Sequence, residues 1–393
     1  MTESKYLIIG GGLTGDAAAK GIRSRDSDGP IVLVGEERHP PYTRPPLSKK
    51  LWQGKDEASI WRGTAEQGVD LRLGRQIVSL DLDARRATDD AGDTYVYERV
   101  LLATGGSPRR LAGAADGVIY FRTYDDYRAL RERTSGGGRA VVVGGGFIGS
   151  EIAAALASTG TTVTLLFPEP TIGARLFPAE LAESLNEYYR AQGVEVLSGE
   201  AVDGIVRDGE TFRVTTGNGR TLDADAVVAG LGIVPRDELA AAAGLASGEG
   251  IPVDDRGRAG GRSDVFAAGD VARFPSPALG RELRVEHEDH ARSHGKHVGA
   301  NMAGADEPYE HLPFFYSDLF DLGYEAVGEV DSRLQTVAEW RDPHRKGVVG
   351  YLDEGGRPRG FLLWGIFGKV DAATDLIRAG EPIEPAALRE LAG

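Results

Sequence analysis

Apolar residues along this chain come in short runs, and the residues just after each run decide which element it predicts. Tyr6-Leu-Ile-Ile is followed by Gly10-Gly-Gly12-Leu-Thr-Gly15 and then by an alanine-rich stretch from Asp16 to Arg25. Ala140-Val-Val-Val143 is followed by Gly144-Gly-Gly146-Phe147-Ile148-Gly149 and then by Ser150 to Ser158. Each pattern predicts a strand, a tight turn and a helix. A further apolar strand comes next in both cases, Ile31–Val34 and Thr162–Leu166, and an acidic residue lies about twenty positions past the last glycine: Glu36 and Glu169. One unit therefore occurs twice. Asp264-Val-Phe-Ala-Ala-Gly-Asp270 predicts a short buried strand ending in Gly-Asp at a helix start. From about residue 312 the rhythm changes to short strands at Arg333–Trp340, Gly347–Leu352 and Gly360–Trp364, with a helix over Asp371–Ala379.

With 55 glycines in 393 residues, chance alone gives roughly one G-x-G-x-x-G match, so the motif carries weight only through its setting. That setting has a physical logic. The first glycine permits the tight turn, the second lets backbone approach a pyrophosphate, and the third lets helix and strand pack closely. The helix N-terminus offers unpaired N–H groups and a positive dipole end to phosphate. The acidic residue accepts from the adenosine ribose hydroxyls. Two such units predict an α/β fold with two Rossmann-like domains, one for FAD and one for NADH, and the changed rhythm after residue 312 adds a small C-terminal α+β domain. Asp270 is then a candidate for the ribityl chain of FAD, although a helix cap is the plainer reading of an aspartate there. Glu169 would repel the 2′-phosphate of NADPH and favours NADH, while Arg175 a few residues on pulls the other way.

Charge and composition narrow the function. The net charge of −15 disfavours nucleic acid and an anionic membrane surface as partners. Cysteine is absent, which excludes thiolate nucleophiles, disulfide exchange and thiolate-ligated clusters, so redox chemistry must belong to a bound cofactor. No apolar run approaches the ~20 residues of a membrane span, and the first strand begins too early for a signal peptide. A cytoplasmic location is expected. His287, His290, His294 and His297 recur at helical spacing and could share one face, which leaves a metal site open, but the run has no recognised zinc spelling.

Several segments carry a family resemblance. Pro40-Pro-Tyr-Thr-Arg44-Pro-Pro-Leu-Ser-Lys49-Lys-Leu-Trp52 resembles the flavin-site segment of two-dinucleotide flavoprotein reductases, a group that includes oxygenase-coupled ferredoxin reductases, monodehydroascorbate reductase and apoptosis-inducing factor. Ala103-Thr104-Gly105-Gly-Ser-Pro-Arg109 resembles their crossover between domains. Leu166-Phe-Pro-Glu169, Arg284-Val-Glu-His-Glu-Asp-His290, Tyr316-Ser-Asp-Leu, Gly323-Tyr-Glu-Ala and Leu363-Trp-Gly-Ile-Phe367 are most similar to apoptosis-inducing factor. The resemblance implies an FAD domain at 1–112 and 244–311, an inserted NAD domain at 113–243, and a C-terminal domain at 312–393 that covers the flavin and contributes to subunit contacts, consistent with a homodimer. It implies that Lys49 pairs with Glu151 beside the flavin, with Arg44 nearby and Glu286 and His287 meeting the rings from the other side. Lys49, Glu151 and His287 are the candidate catalytic residues. Phe147 would gate or stack near the nicotinamide, and Tyr316 stands where the family uses an aromatic residue. Thr104, Gly105 and Gly232 complete the candidate cofactor contacts. The implied activity is hydride transfer from NADH to FAD, with electrons passing to a ferredoxin, a quinone or another acceptor. A redox-responsive interaction protein that holds a long-lived charge-transfer complex is the second reading.

Overall fold

The structure, a computed structural model, describes residues 1–246 and 248–393. It divides into two compact units. The first comprises Met1–Thr43, Glu57–Ser107 and Val234–Phe314; the second comprises Arg44–Asp56, Pro108–Ile233 and Phe315–Gly393.

The first unit is built on a seven-stranded sheet. Thr2–Ile9 lies between Ile31–Gly35 and Thr94–Leu102, parallel to both, and Val69–Leu73 extends the parallel side. Val265–Ala267 pairs in parallel with the end of Thr94–Leu102, bringing a late segment of the chain back to the first fold. Tyr6, Ile8, Leu33, Leu101 and Phe266 are buried from this sheet against Ala18, Ala19, Ile22, Val298 and Met302. Continuous apolar runs are what strands covered on both faces require. Helices Leu13–Arg23 and Glu288–Met302 pack unusually closely. A Cβ on Gly299 would meet the Ala18 carbonyl oxygen at 2.1 Å, and one on Gly21 would meet that of Lys296 at 2.0 Å.

One expectation is corrected here. Asp270 does not open a helix. Gly269–Val271 is a single 3-10 turn, and the chain leaves it extended at Ala272 to form the strand Ala272–Ser276, antiparallel to Arg281–Leu283. The strand pairing wins over continuation of the turn, so no helix end faces a phosphate at this point.

In the second unit a five-stranded parallel sheet runs Glu195–Ser198, Thr162–Phe167, Arg139–Val143, Ala226–Ala229, Ile119–Tyr120. An antiparallel three-stranded sheet, Val202–Asp208, Thr211–Thr216 and Thr221–Ala224, shares its core through Phe212 and Val214. The C-terminal part is a five-stranded sheet in the order Phe314–Leu319, Leu322–Gly328, Pro358–Trp364, Lys346–Leu352, Gln335–Asp342, with helices Val370–Ala379 and Pro385–Ala392. The last three strands named and the helix Val370–Ala379 match the late elements that the sequence predicts, while Phe314–Leu319, Leu322–Gly328 and Pro385–Ala392 are additional. Phe177 packs edge-on against Tyr324 and Trp364, while Tyr351 donates its hydroxyl hydrogen to the Leu176 carbonyl.

Candidate functional site

Both glycine turns sit between strand and helix, at Ile9/Leu13 and at Val143/Phe147. Their glycines divide the work in the same way. Gly10 has φ +129 and Gly144 φ +113, in the region that favours glycine. A Cβ on Gly10 would strike the Ala103 carbonyl oxygen at 2.1 Å, and one on Gly144 the Gly230 carbonyl oxygen at 2.4 Å. Gly15 and Gly149 are closed by backbone as well, with the oxygens of Gly10 and Gly144 at 2.3 and 1.8 Å. At Gly12 and Gly146, by contrast, a Cβ would meet nothing within 4 Å. The protein itself does not need those two positions empty. An open middle glycine at the mouth of a helix is what close approach of a pyrophosphate requires. Both residues are helix N-caps with no side-chain cap, so each helix presents bare N–H groups there.

The two folds also end alike. Ala103-Thr104-Gly105 backs the first turn as Gly230-Leu231-Gly232 backs the second. Thr104 Oγ1 donates to the Arg236 carbonyl at 2.6 Å, and the Arg236 N–H donates to the Gly105 carbonyl at 2.9 Å. The Arg236 guanidinium in turn pairs with Glu36, the acidic residue after the second strand. Sequence reading did not single out Arg236. Glu169 comes after the corresponding strand of the second fold and is half-buried, with Arg175 exposed.

Inside the first helix, Asp16 is a carboxylate with no side-chain exposure. It accepts from Thr64 Oγ1 at 2.8 Å, Lys20 Nζ at 2.9 Å and Arg62 Nε at 3.0 Å. This network too was missed. Its only sequence signal is one acidic residue set among alanines on a buried helix face.

The second unit brings together three of the predicted residues. Lys49 Nζ meets Glu151 Oε1 at 2.7 Å with both side chains buried, and the ammonium lies 5.0 Å from the centre of the Tyr316 ring. Glu151 stands in the second turn of the helix Phe147–Ser158, and Lys49 ends the 3-10 turn Pro45–Ser48. Ser48 and Ser317 complete the set by donating to Glu151 at 2.5 and 2.6 Å. Tyr189 and Tyr324, fully buried, have hydroxyls pushed well above their ordinary range by burial and then by the Glu151 charge. Phe147 packs edge-on against Phe315 at 5.2 Å, and Ile148 is half-buried beside it. Arg44 donates to the Arg122 carbonyl at 2.8 Å.

In the first unit, His287 is the N-cap of the helix Glu288–Met302. Burial lowers its pKa to about 4, against the opposing pull of Asp270 and Asp289. Glu286 pairs with Arg284, which also donates to the Asp270 carbonyl at 3.1 Å. His290 and His294 are buried in an aromatic stack with Phe274 and Tyr309. His294 Nδ1 accepts from the Gly269 N–H at 3.3 Å. The neutral ring must then carry its proton on Nε2, which makes that atom a donor and not a metal ligand. The four histidines therefore do not converge: two are stacked in the core, His287 occupies the helix N-cap position, and His297 reaches the Glu307 carbonyl.

Two glycine turns of this kind, each between strand and helix, are what an oxidoreductase that handles two dinucleotides requires. Residues 4–295 match the family described as pyridine nucleotide-disulphide oxidoreductase, and residues 298–344 match the C-terminal domain of the mitochondrion-associated apoptosis-inducing factor. The chain belongs to the pyridine nucleotide-disulphide oxidoreductase family, although it has no cysteine. It is 34% identical to apoptosis-inducing factor 1 of Dictyostelium discoideum over 98% of its own length and 80% of that protein. Identity is also 34% to the ferredoxin–NAD(+) reductase component of the anthranilate 1,2-dioxygenase system of Burkholderia cepacia, over 99% and 98% of the two chains. Among solved structures, it is similar to the reductase in the covalent putidaredoxin reductase–putidaredoxin complex, with TM-score 0.91, 29% identity, and 99% and 96% coverage. A ferredoxin reductase from Rhodopseudomonas palustris gives TM-score 0.89 at 29% identity, covering 99% and 100%. The chain is accordingly an NAD(P)H-dependent flavin oxidoreductase, of the ferredoxin reductase or apoptosis-inducing-factor type. Among the described residues, no helix is long and apolar enough to cross a membrane.

Proposed function

We propose that this protein takes hydride from NADH into FAD and passes the electrons to a ferredoxin-type protein. The observation that carries the reading is the pair of turns whose first and third glycines are shut by backbone while Gly12 and Gly146 stay open. Relatives of matching length that reduce ferredoxin, and a similar reductase crystallised with putidaredoxin, support the choice of acceptor. When bound, FAD supplies the step the chain lacks, accepting two electrons as hydride and releasing them to the acceptor.

The chain's own residues do the holding. FAD would take the fold of 1–112 and 244–311, with Gly10, Gly12 and Gly15 at the pyrophosphate, Glu36 at the ribose, and Thr104, Gly105 and Asp270 along the chain toward the ring. NADH would take 113–243, with Gly144, Gly146, Ile148 and Gly149 at its pyrophosphate, Glu169 at its ribose, and Phe147 and Gly232 lining its path; 312–393 would cover the flavin. Lys49, held by Glu151 in a buried ion pair, would supply positive charge where negative charge develops on reduction. Arg44, Glu286, His287 and Tyr316 would border the rings, with desolvation favouring the neutral form of His287.

Steady-state assays with NADH and a panel of ferredoxins and quinones test the acceptor. Turnover on a ferredoxin well above the rate with quinone or oxygen is expected. Slow turnover on every acceptor, with a persistent long-wavelength band after NADH, would favour the redox-responsive interaction protein.

A further inference from the structure

Glu151 receives more than its lysine. Oε1 accepts from Lys49 Nζ at 2.7 Å and from Ser317 Oγ at 2.6 Å, and Oε2 accepts from Ser48 Oγ at 2.5 Å. Ser48 is 4% exposed and Ser317 1%. Each serine arrives by a separate local rule. Pro45 and Pro46 open a 3-10 turn that ends at Ser48. In the strand Phe314–Leu319, burial alternates, so Phe315, Ser317 and Leu319 face inward while Tyr316 is exposed. A hydroxyl on an inward row requires partners; the Ser317 hydroxyl donates to Glu151 and is also hydrogen-bonded with the Tyr324 hydroxyl.

A buried ion pair held by one contact repays its desolvation poorly unless further hydrogen bonds satisfy the remaining lone pairs. Lysine is also a mobile point charge on a flexible stem. With both carboxylate oxygens pinned, the ammonium has one place to be, against Oε1 and over the Tyr316 ring. The serines also share the negative charge of Glu151, leaving the field of Lys49 less neutralised.

We propose that Ser48 and Ser317 are positioning residues that fix the Lys49–Glu151 pair and thereby set how readily the bound flavin is reduced. This rests on the reading that FAD lies against Lys49.

The test uses the flavin-loaded protein and measures the equilibrium ratio of reduced to oxidised flavin at a fixed NADH/NAD+ ratio. Ser317→Ala should lower that ratio roughly tenfold, the weight of one hydrogen bond to a charged group; Ser48→Ala should act in the same direction, and Ser317→Thr should restore it. In a Glu151→Gln background, Ser317→Ala should have little further effect, because it acts through Glu151. If Lys49→Met shifts the ratio while both serine variants stay within about twofold of the parent, the serine assignment is overturned and the flavin reading stands. If Lys49→Met changes nothing, Lys49 does not face the flavin, and both fall. Should Ser317→Ala fail to fold, Ser48→Ala with its Glu151→Gln combination gives the same decision.

Discussion

Asp16 shows how much a single residue can hold. Its carboxylate has no exposure, pairs with Lys20 on its own helix, and ties Arg62 and Thr64 from a separate stretch of chain to that helix. Asp16→Ala would leave Arg62 and Thr64 without their buried acceptor. We expect a loss of about 2–4 kcal/mol in the stability of the first unit, read by denaturant unfolding, at the low end because the two cations are partly exposed. The buried imidazoles of His290 and His294 and the half-buried one of His287 give a pH signature. In the folded chain His294 titrates at about 3, His287 at about 4 and His290 well below 6.5, all chiefly because of burial. In the unfolded chain they titrate near 6.5. Between these values the unfolded state binds more protons, so stability falls as pH drops below 6.5, by up to about 1.4 kcal/mol per pH unit for each ring. Melting curves from pH 7 to 4.5 should show this, and His290→Gln should flatten the slope by one ring's share; an unchanged slope would contradict it. At this scale the sequence is partly transparent. Lys49 and Glu151 were legible because the family resemblance implies their pairing. Ser317 was not, although it lies in the Tyr316-Ser-Asp-Leu segment, because its partner lies 166 positions away and nothing local marks a serine as a donor.

At the scale of elements, the two turns make opposite predictions for neighbouring glycines. At Gly12 and Gly146 the backbone is extended, with φ −87 and −85, and a methyl group has room. Gly12→Ala should therefore fold normally but lose FAD, while Gly146→Ala should keep the flavin and lose NADH by tenfold or more. Gly149→Ala puts a methyl 1.8 Å from the Gly144 oxygen and should instead destabilise the fold by about 1–3 kcal/mol. Flavin content, NADH affinity and thermal melting of the three variants separate these outcomes. Strand, turn and helix were readable here because hydrophobic period and glycine position agree. The Gly269–Asp270 turn was misread as a helix start because the strand pairing of Ala272–Ser276 with Arg281–Leu283 is a tertiary decision that no local pattern announces. The close approach of the helices at Gly21, Gly295 and Gly299 is likewise visible only once both are in place.

For the whole molecule, the absence of cysteine leaves no protein disulfide for electrons to pass through, and the proposed function assigns the reaction to two bound dinucleotides. Nucleotide choice belongs at this scale. With Glu169 just past the second strand of the inserted fold, kcat/KM should favour NADH over NADPH, and Glu169→Ser should shrink that preference by roughly tenfold through loss of repulsion toward the 2′-phosphate. The most direct test is an anaerobic titration of the purified protein with NADH, monitored in the visible flavin band. The account predicts a yellow protein whose band bleaches at one equivalent of NADH per chain. A preparation that carries no flavin even after incubation with excess FAD, or bound flavin that NADH leaves oxidised, would contradict it.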